Sequence, residues 1–282
     1  MSESRGYTIQ GRQQLTPLPA SDLDRDPRGI IWMYEPPNPR ATYCMGVDPS
    51  VGITSWHRAL RTRDDMRTDN GAIEIIRLGR NGPDVQVCEY AAPIDPEDLA
   101  DVANALGRLY AGAEENEECL AIVEIFPGPG LLTQRRLIND FGYTNLFVWK
   151  YLDSMAMTPT KSLGWTATTK SVRDLWIRGS RHINRGAVRI HSEPLIEEMV
   201  NAEQDPVKMT AKAIYGHHDD RLRAFLLAIW ALHDWSGQIE IPEHSRVEVG
   251  APAASWQASD ISAEQMYEAW DEKWSELSEE PY

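Results

Sequence analysis

Four carboxylates stand where apolar runs of this chain stop or start. Asp48 closes the run in "ATYCMGVDPS", Glu124 interrupts the run in "CLAIVEIF", and Asp219 with Asp220 opens the apolar stretch in "GHHDDRLRAFLLAIWAL". Each has an ordinary reading. Asp48 before Pro49 suits a turn, and Asp at a helix start suits capping and the positive end of the helix dipole. Glu124 is harder to place, because a carboxylate inside an apolar strand needs a partner or a shifted proton affinity. If the segments ending in Asp48 and Glu124 are neighbouring strands, both side chains emerge at one sheet edge, and the start of the late helix brings a third carboxylate to them. Clustered carboxylates raise one another's pKa and stay ionised only beside cations. An all-oxygen ligand set matches Mg2+ or Mn2+, and two such ions about 3.5–4 Å apart serve phosphodiester hydrolysis. Asp48, Glu124, Asp219 and Asp220 are therefore the candidate catalytic and metal-binding residues, for two Mg2+ or Mn2+ ions. His217 and His218 fit either a polar loop or a supporting, proton-transferring role beside them.

The elements that must position these residues are legible from pattern. Residues 1–40 are polar, with prolines gathered in "YEPPNPR", and read as a linker or edge segment. A first strand ends at Asp48. "AIEIIRLG" and "VQVCEYAAPI" alternate apolar and polar residues around the turn "RNGPD", which predicts a three-stranded antiparallel meander. "DPEDLADVANALGRLYAG" has an acidic first turn, apolar residues at helical spacing and a closing Gly112, so it predicts a helix. "CLAIVEIF" reads as a central buried strand, "GLLTQRRLINDFG" as a helix and "NLFVWKYL" as the next strand. A long helix runs from Asp220 to about Asp234. The expected fold class is α/β, a mixed central sheet of three antiparallel strands followed by parallel strands, flanked by helices.

The chain has 282 residues, 42% of them hydrophobic, enough for one large domain or two small ones. Cys44, Cys88 and Cys119 are scattered and form no metal-ligand or disulfide pattern, which fits a reducing compartment. No apolar run approaches the ~20 residues of a membrane span, and the N-terminus lacks a signal-peptide core. Glycine is never followed by lysine, so a Walker phosphate loop is absent, as are HExxH, GxSxG and GxGxxG. The formal net charge is −15, yet it is segregated. Residues 135–189 hold ten Lys or Arg against Asp140, Asp153 and Asp174, while the last 43 residues hold eleven acids against Arg246 and Lys273. Lys161 and Lys170 flank "SLGWTATT", read as a hairpin or loop beside the carboxylates, and Arg173 and Arg178 fall on the helix that follows. These four are the candidate DNA-binding residues, expected to touch phosphates without reading bases.

The order of these elements, with acids on the first strand, the central strand and a late helix, resembles the RNase H superfamily. Within it, "YEPPNPRATYCMGVDPSVG", "DNGAIEIIRLGR", "AIVEIFPGPG", "KSLGWTATTKSVRDLWI", "RIHSEPLIEEMVNAE" and "YGHHDDRLRAFLLAIWAL" resemble the nuclease domain of tailed-bacteriophage terminase large subunits, over roughly residues 34–235. The resemblance implies an RNase H-like nuclease domain at 41–238, between the N-terminal segment and an acidic tail at 239–282. It implies an endodeoxyribonuclease that cuts concatemeric viral DNA during genome packaging, with Asp220 favoured over Asp219 as the dominant ligand of the pair. The implied partners are double-stranded DNA and a portal, small terminase subunit or ATPase motor component, in the cytoplasm of an infected host cell. Full-length terminases also carry an N-terminal packaging ATPase; with no Walker motif in this sequence, the resemblance implies either the nuclease domain of a longer chain or a separately encoded nuclease, and no ATP-driven translocation is assigned to it. A Holliday-junction resolvase-like nuclease and a non-catalytic DNA-binding packaging module are the alternatives; the "GW-T-T-K" segment weighs against the first and the presence of all four carboxylates against the second. In the tail, Met266, Trp270, Trp274 and Leu277 fall on one face of a helix beginning near Ser262, which suits either packing onto the domain or docking into a partner's groove.

Overall fold

A computed structural model describes residues 5–10, 14–17, 30–50, 70–113, 118–125, 129–153, 158–205, 210–214 and 218–233. The charged stretch 53–68 after Asp48, His217 and the amphipathic tail lie outside the described residues. In chain order the elements are β1 (Arg5–Gln10), β2 (Gln14–Pro17), β3 (Ile31–Met33), β4 (Tyr43–Asp48), β5 (Gly71–Arg77), β6 (Asp84–Ala92), α1 (Pro96–Leu109), β7 (Leu120–Ile125), α2 (Pro129–Asn139), β8 (Val148–Asp153), β9 (Thr158–Leu163), β10 (Trp165–Thr166), α3 (Thr169–Asn184), β11 (Val188–Arg189), α4 (Glu193–Val200), β12 (Ala202–Asp205), β13 (Thr210–Ala213) and α5 (Asp220–Leu232).

The main sheet has the order β10-β7-β4-β5-β6-β3-β1-β2, with β11 also paired to β6. Strands β4, β5 and β6 are antiparallel neighbours, as their alternating apolar patterns predict. β7 then joins β4 in parallel, and β10 joins β7 in parallel. The fold is therefore α/β with a mixed sheet, and its strand arrangement agrees with an RNase H-like architecture at the coarse level. The polar N-terminal stretch contributes β1, β2 and β3, which extend the sheet beyond β6.

Helices cover both faces. On one side α1 and α2 bury Leu99, Val102, Leu106 and Leu137 against Met45, Val47, Ile73 and Val87. Asp95 caps α1 by accepting the Glu97 backbone N–H at 2.9 Å, and Pro96 takes the first turn, where its missing N–H costs nothing. On the other side α5, with α3 and α4, buries Phe225, Leu226 and Ile229 against Cys44, Ile76 and Ile122. Covering both faces changes the reading of the meander. Glu74, Gln86 and Glu89, the polar positions of its alternation, are buried beneath this second layer rather than solvated.

The segment "NLFVWKYL" departs from a simple strand. Leu146 bridges Ala121 in parallel, and the Phe147 N–H donates to the Ala121 carbonyl at 2.8 Å. From Val148 the chain leaves the sheet and pairs with β9 as a separate antiparallel ribbon. β9, "TPTKSL", carries a proline and few apolar residues, which suits a ribbon outside the sheet better than a strand buried on both faces. Gly164 turns the corner at φ +78°, a conformation other residues reach only with strain, and its N–H donates to the Phe147 carbonyl at 2.8 Å. Trp165 then pairs with Glu124 on β7.

Candidate metal centre

Register brings the first two carboxylates together. Val47 pairs with Val123 across the parallel β4–β7 ladder, so Asp48 and Glu124 follow at adjoining positions. Helix α5 supplies the other two because it packs on β4 at backbone distance. A Cβ on Gly46 would overlap the Ala224 carbonyl oxygen and lie 2.7 Å from the Ala228 nitrogen. Only glycine permits that approach, and it sets the first turn of α5, one turn before Ala224, over the end of β4.

The electrostatics are those of one crowded site. Exclusion of water holds the Asp48 carboxyl well above the usual carboxylate range; Glu124 raises it further, Arg223 opposes, and Asp220 and Asp219 add smaller upward shifts. Glu124 is raised as well, first by burial, with Arg223 opposing and Asp219 adding. Glu124 is 9% exposed, and its Oε1 lies 3.6 Å from Arg223 Nη1. Its Oε2 is buried with no hydrogen-bond partner among the described residues. Asp220 Oδ2 accepts the Asn70 backbone N–H at 2.9 Å and the Asn70 side-chain amide at 3.2 Å, with His218 Nδ1 3.4 Å away. Asp219 occupies the N-cap position of α5 yet accepts no capping hydrogen bond through its side chain, so capping is not what its carboxylate does. The four carboxylates offer only oxygen donors, and Arg223 is a cation set among them. A hard divalent ion would partner the orphaned Glu124 oxygen and offset the surplus charge, so the residues present fit such an ion.

A buried polar network anchors the α5 side of this cluster. Arg221 reaches Glu89 Oε1 at 3.2 Å and Glu198 Oε1 at 3.0 Å, while Glu198 Oε2 accepts the Leu222 N–H at 2.9 Å. Gln86 donates to Glu74 at 2.8 Å and to Glu89 at 3.4 Å, and its carbonyl oxygen accepts the backbone N–H groups of His191 and Ser192. The network fastens the start of α5 and the entry to α4 to the sheet, and so fixes where Asp219 and Asp220 stand.

The basic candidates sit on the elements expected. Lys161 is exposed on β9, and Lys170, Arg173 and Arg178 are exposed along α3. α3 is held by a capping box between Thr168 and Ser171. Arg178 also lies over the Trp230 ring at 5.9 Å from its centroid. The ribbon and α3 both spring from β10, the neighbour of Glu124, so the basic elements are rooted at the carboxylate edge.

A second group was not foreseen in the sequence. Asp84, His182 and His233 converge at the opposite end of the sheet, with His182 Nε2 at 2.9 Å and His233 Nε2 at 2.7 Å from the same Asp84 oxygen. The Gly79 N–H donates to the other oxygen at 2.9 Å. Burial pushes the Asp84 carboxyl up, but the hydrogen bonds from the two histidines and from Gly79 outweigh it and hold the group well below the usual range. These three side chains form a group able to hold a metal ion. Sequence reasoning also passed over Arg223 and Asn70, which touch two of the four carboxylates. Spacing gave one hint: Arg223 follows Asp219 by four residues, one helical turn.

A scan of protein-family models and a search of curated proteins both return no match to this chain. No described helix is long and apolar enough to cross a membrane.

Proposed function

We propose that the chain is a divalent-metal-dependent endodeoxyribonuclease in which Asp48, Glu124, Asp219 and Asp220 hold two Mg2+ or Mn2+ ions. The observation that carries the reading is the meeting of Asp48, Glu124 and the opening of α5 at one sheet edge, with a buried Glu124 oxygen that lacks a partner among the described residues. Ions bound by such a cluster supply an activated water and charge relief on the phosphate being cut. The chain's own groups have separate duties. Asn70 orients Asp220 through two hydrogen bonds. Arg223 limits repulsion at Glu124 while the cluster is metal-free. Lys161, Lys170, Arg173 and Arg178 hold the DNA backbone, which positions a scissile phosphate without base recognition. The resemblance to terminase nuclease domains adds the biological setting, cutting of concatemeric viral DNA during packaging, with portal, small-subunit or motor components as partners.

The test is cleavage of supercoiled plasmid by the full chain. Nicked and then linear product in Mn2+ or Mg2+, abolished by chelation and restored by adding the ion back, is the expected result. Intact plasmid with either ion over a broad range of protein concentration would overturn the catalytic reading and leave a DNA-binding module.

A further inference from the structure

The geometry points to a second metal site, independent of the carboxylate cluster, in which Asp84, His182 and His233 bind one transition-metal ion of the zinc class. The three ligands come from three elements: Asp84 begins β6, His182 stands in the last turn of α3, and His233 caps the C-terminal end of α5. Two imidazoles and one carboxylate form a borderline-soft donor set, which suits Zn2+ and its neighbours and is poorly suited to Mg2+. Their donor atoms all lie within 4.8 Å of one another. Tetrahedral zinc with bonds of about 2.0–2.1 Å places neighbouring donors about 3.3 Å apart. The histidine nitrogens at 2.9 and 2.7 Å from Asp84 Oδ2 need to open by roughly half an ångström. Each ring then carries its proton on Nδ1 and offers the Nε2 lone pair to the ion, leaving a fourth position for water.

Two further features favour a cation there. α3 ends two residues beyond His182 and α5 ends immediately before His233, so two helix C-termini, each with partial negative charge, meet at the group. The Gly79 N–H holds the second Asp84 oxygen, the kind of outer hydrogen bond that orients a ligating carboxylate. The site also has a structural consequence. α5 has 13 residues, so its ends are about 20 Å apart, with the carboxylate cluster at one and this group at the other. An ion that ties the C-terminal ends of α3 and α5 to the sheet fixes the same two elements that carry the basic residues and the catalytic aspartates.

The experiment uses the full chain stripped with chelator and then titrated with Co2+ and Zn2+. One equivalent of Co2+ with the visible d–d bands of a four- or five-coordinate nitrogen/oxygen site is expected. Micromolar Zn2+ should bleach those bands and raise Tm by several degrees, and millimolar Mg2+ should leave the bands in place. The spectrum should vanish in His182→Asn and His233→Asn and persist in Asp48→Asn, which separates this site from the carboxylate cluster whether or not the nuclease reading stands. Absence of stoichiometric Co2+ bands in the wild-type chain would overturn the proposal without recourse to any variant. Bands displaced by Mg2+, or retained in a folded His233→Asn protein, would overturn it equally.

Discussion

Glu74 and Glu89 face one another across β5 and β6, with Gln86 donating to both. Two carboxylates in that setting cannot both be comfortable as anions. Burial first, and the Glu89 charge second, push the Glu74 carboxyl well above the usual range. At this group the folded chain therefore holds its proton to higher pH than the unfolded chain does. The group's contribution to stability is fully present below the ordinary glutamate pKa and is lost as pH rises through the raised folded-state value. Glu74→Gln keeps the shape and removes the titration. The variant is expected to melt no lower than the wild type at about pH 8, and its Tm should vary less between about pH 5 and 8. Parallel Tm–pH profiles for the two proteins would show that Glu74 does not titrate in this window.

At the scale of elements, the site depends on how closely α5 lies on β4. Gly46→Ala inserts a methyl group against the backbone of Ala224 and Ala228, which cannot turn aside as a side chain can. Overpacking of this kind costs about 1–3 kcal/mol, and here the upper end or beyond is expected. The same shift moves Asp219 and Asp220 away from Asp48, so the proposed nuclease activity should fall more steeply than the melting temperature. A Gly46→Ala protein with wild-type melting and cleavage would refute this packing argument. The ribbon and α3 give an independent prediction. Replacing Lys161, Lys170, Arg173 and Arg178 by glutamine should weaken binding to all DNA sequences alike. The salt dependence should also flatten, by about one unit of slope for each phosphate no longer neutralised. An unchanged slope would place these residues on ordinary solvated surface.

Those same elements mark how far the sequence could be read. The strand ending in Asp48, the strand carrying Glu124 next to its end and the helix opening at Asp219 and Asp220 announced themselves, because a charge breaking an apolar run is a local signal. The ribbon did not, because "NLFVWKYL" has the composition of a sheet strand throughout. Only the sheet position taken by Trp165 reveals that the chain leaves at Val148 and returns. The buried roles of Glu74, Gln86 and Glu89 were equally hidden, since strict alternation describes a sheet with one wet face and this one is covered on both.

Across the whole molecule, long-range pairing carries most of what pattern reading missed. His182 and His233 lie 98 and 149 residues from Asp84, with no motif spacing to join them, and only the topology brings them to one point. The carboxylate cluster is as dispersed, but its members each sit at an element end, which is why their meeting could be anticipated. The charge map fits the same picture: a chain of net charge −15 keeps basic residues on the ribbon and α3, rooted at the carboxylate edge where a polyanion would lie. The central claim is that the four carboxylates form a hydrolytic metal site, and Asp48 stands among all of them. The most direct measurement is the single-turnover rate of plasmid cleavage in Mn2+ by the wild type and by Asp48→Asn, with melting curves for both. A fall of at least about 100-fold in rate with no loss of Tm is predicted. A folded Asp48→Asn protein that cuts at near the wild-type rate would contradict the account.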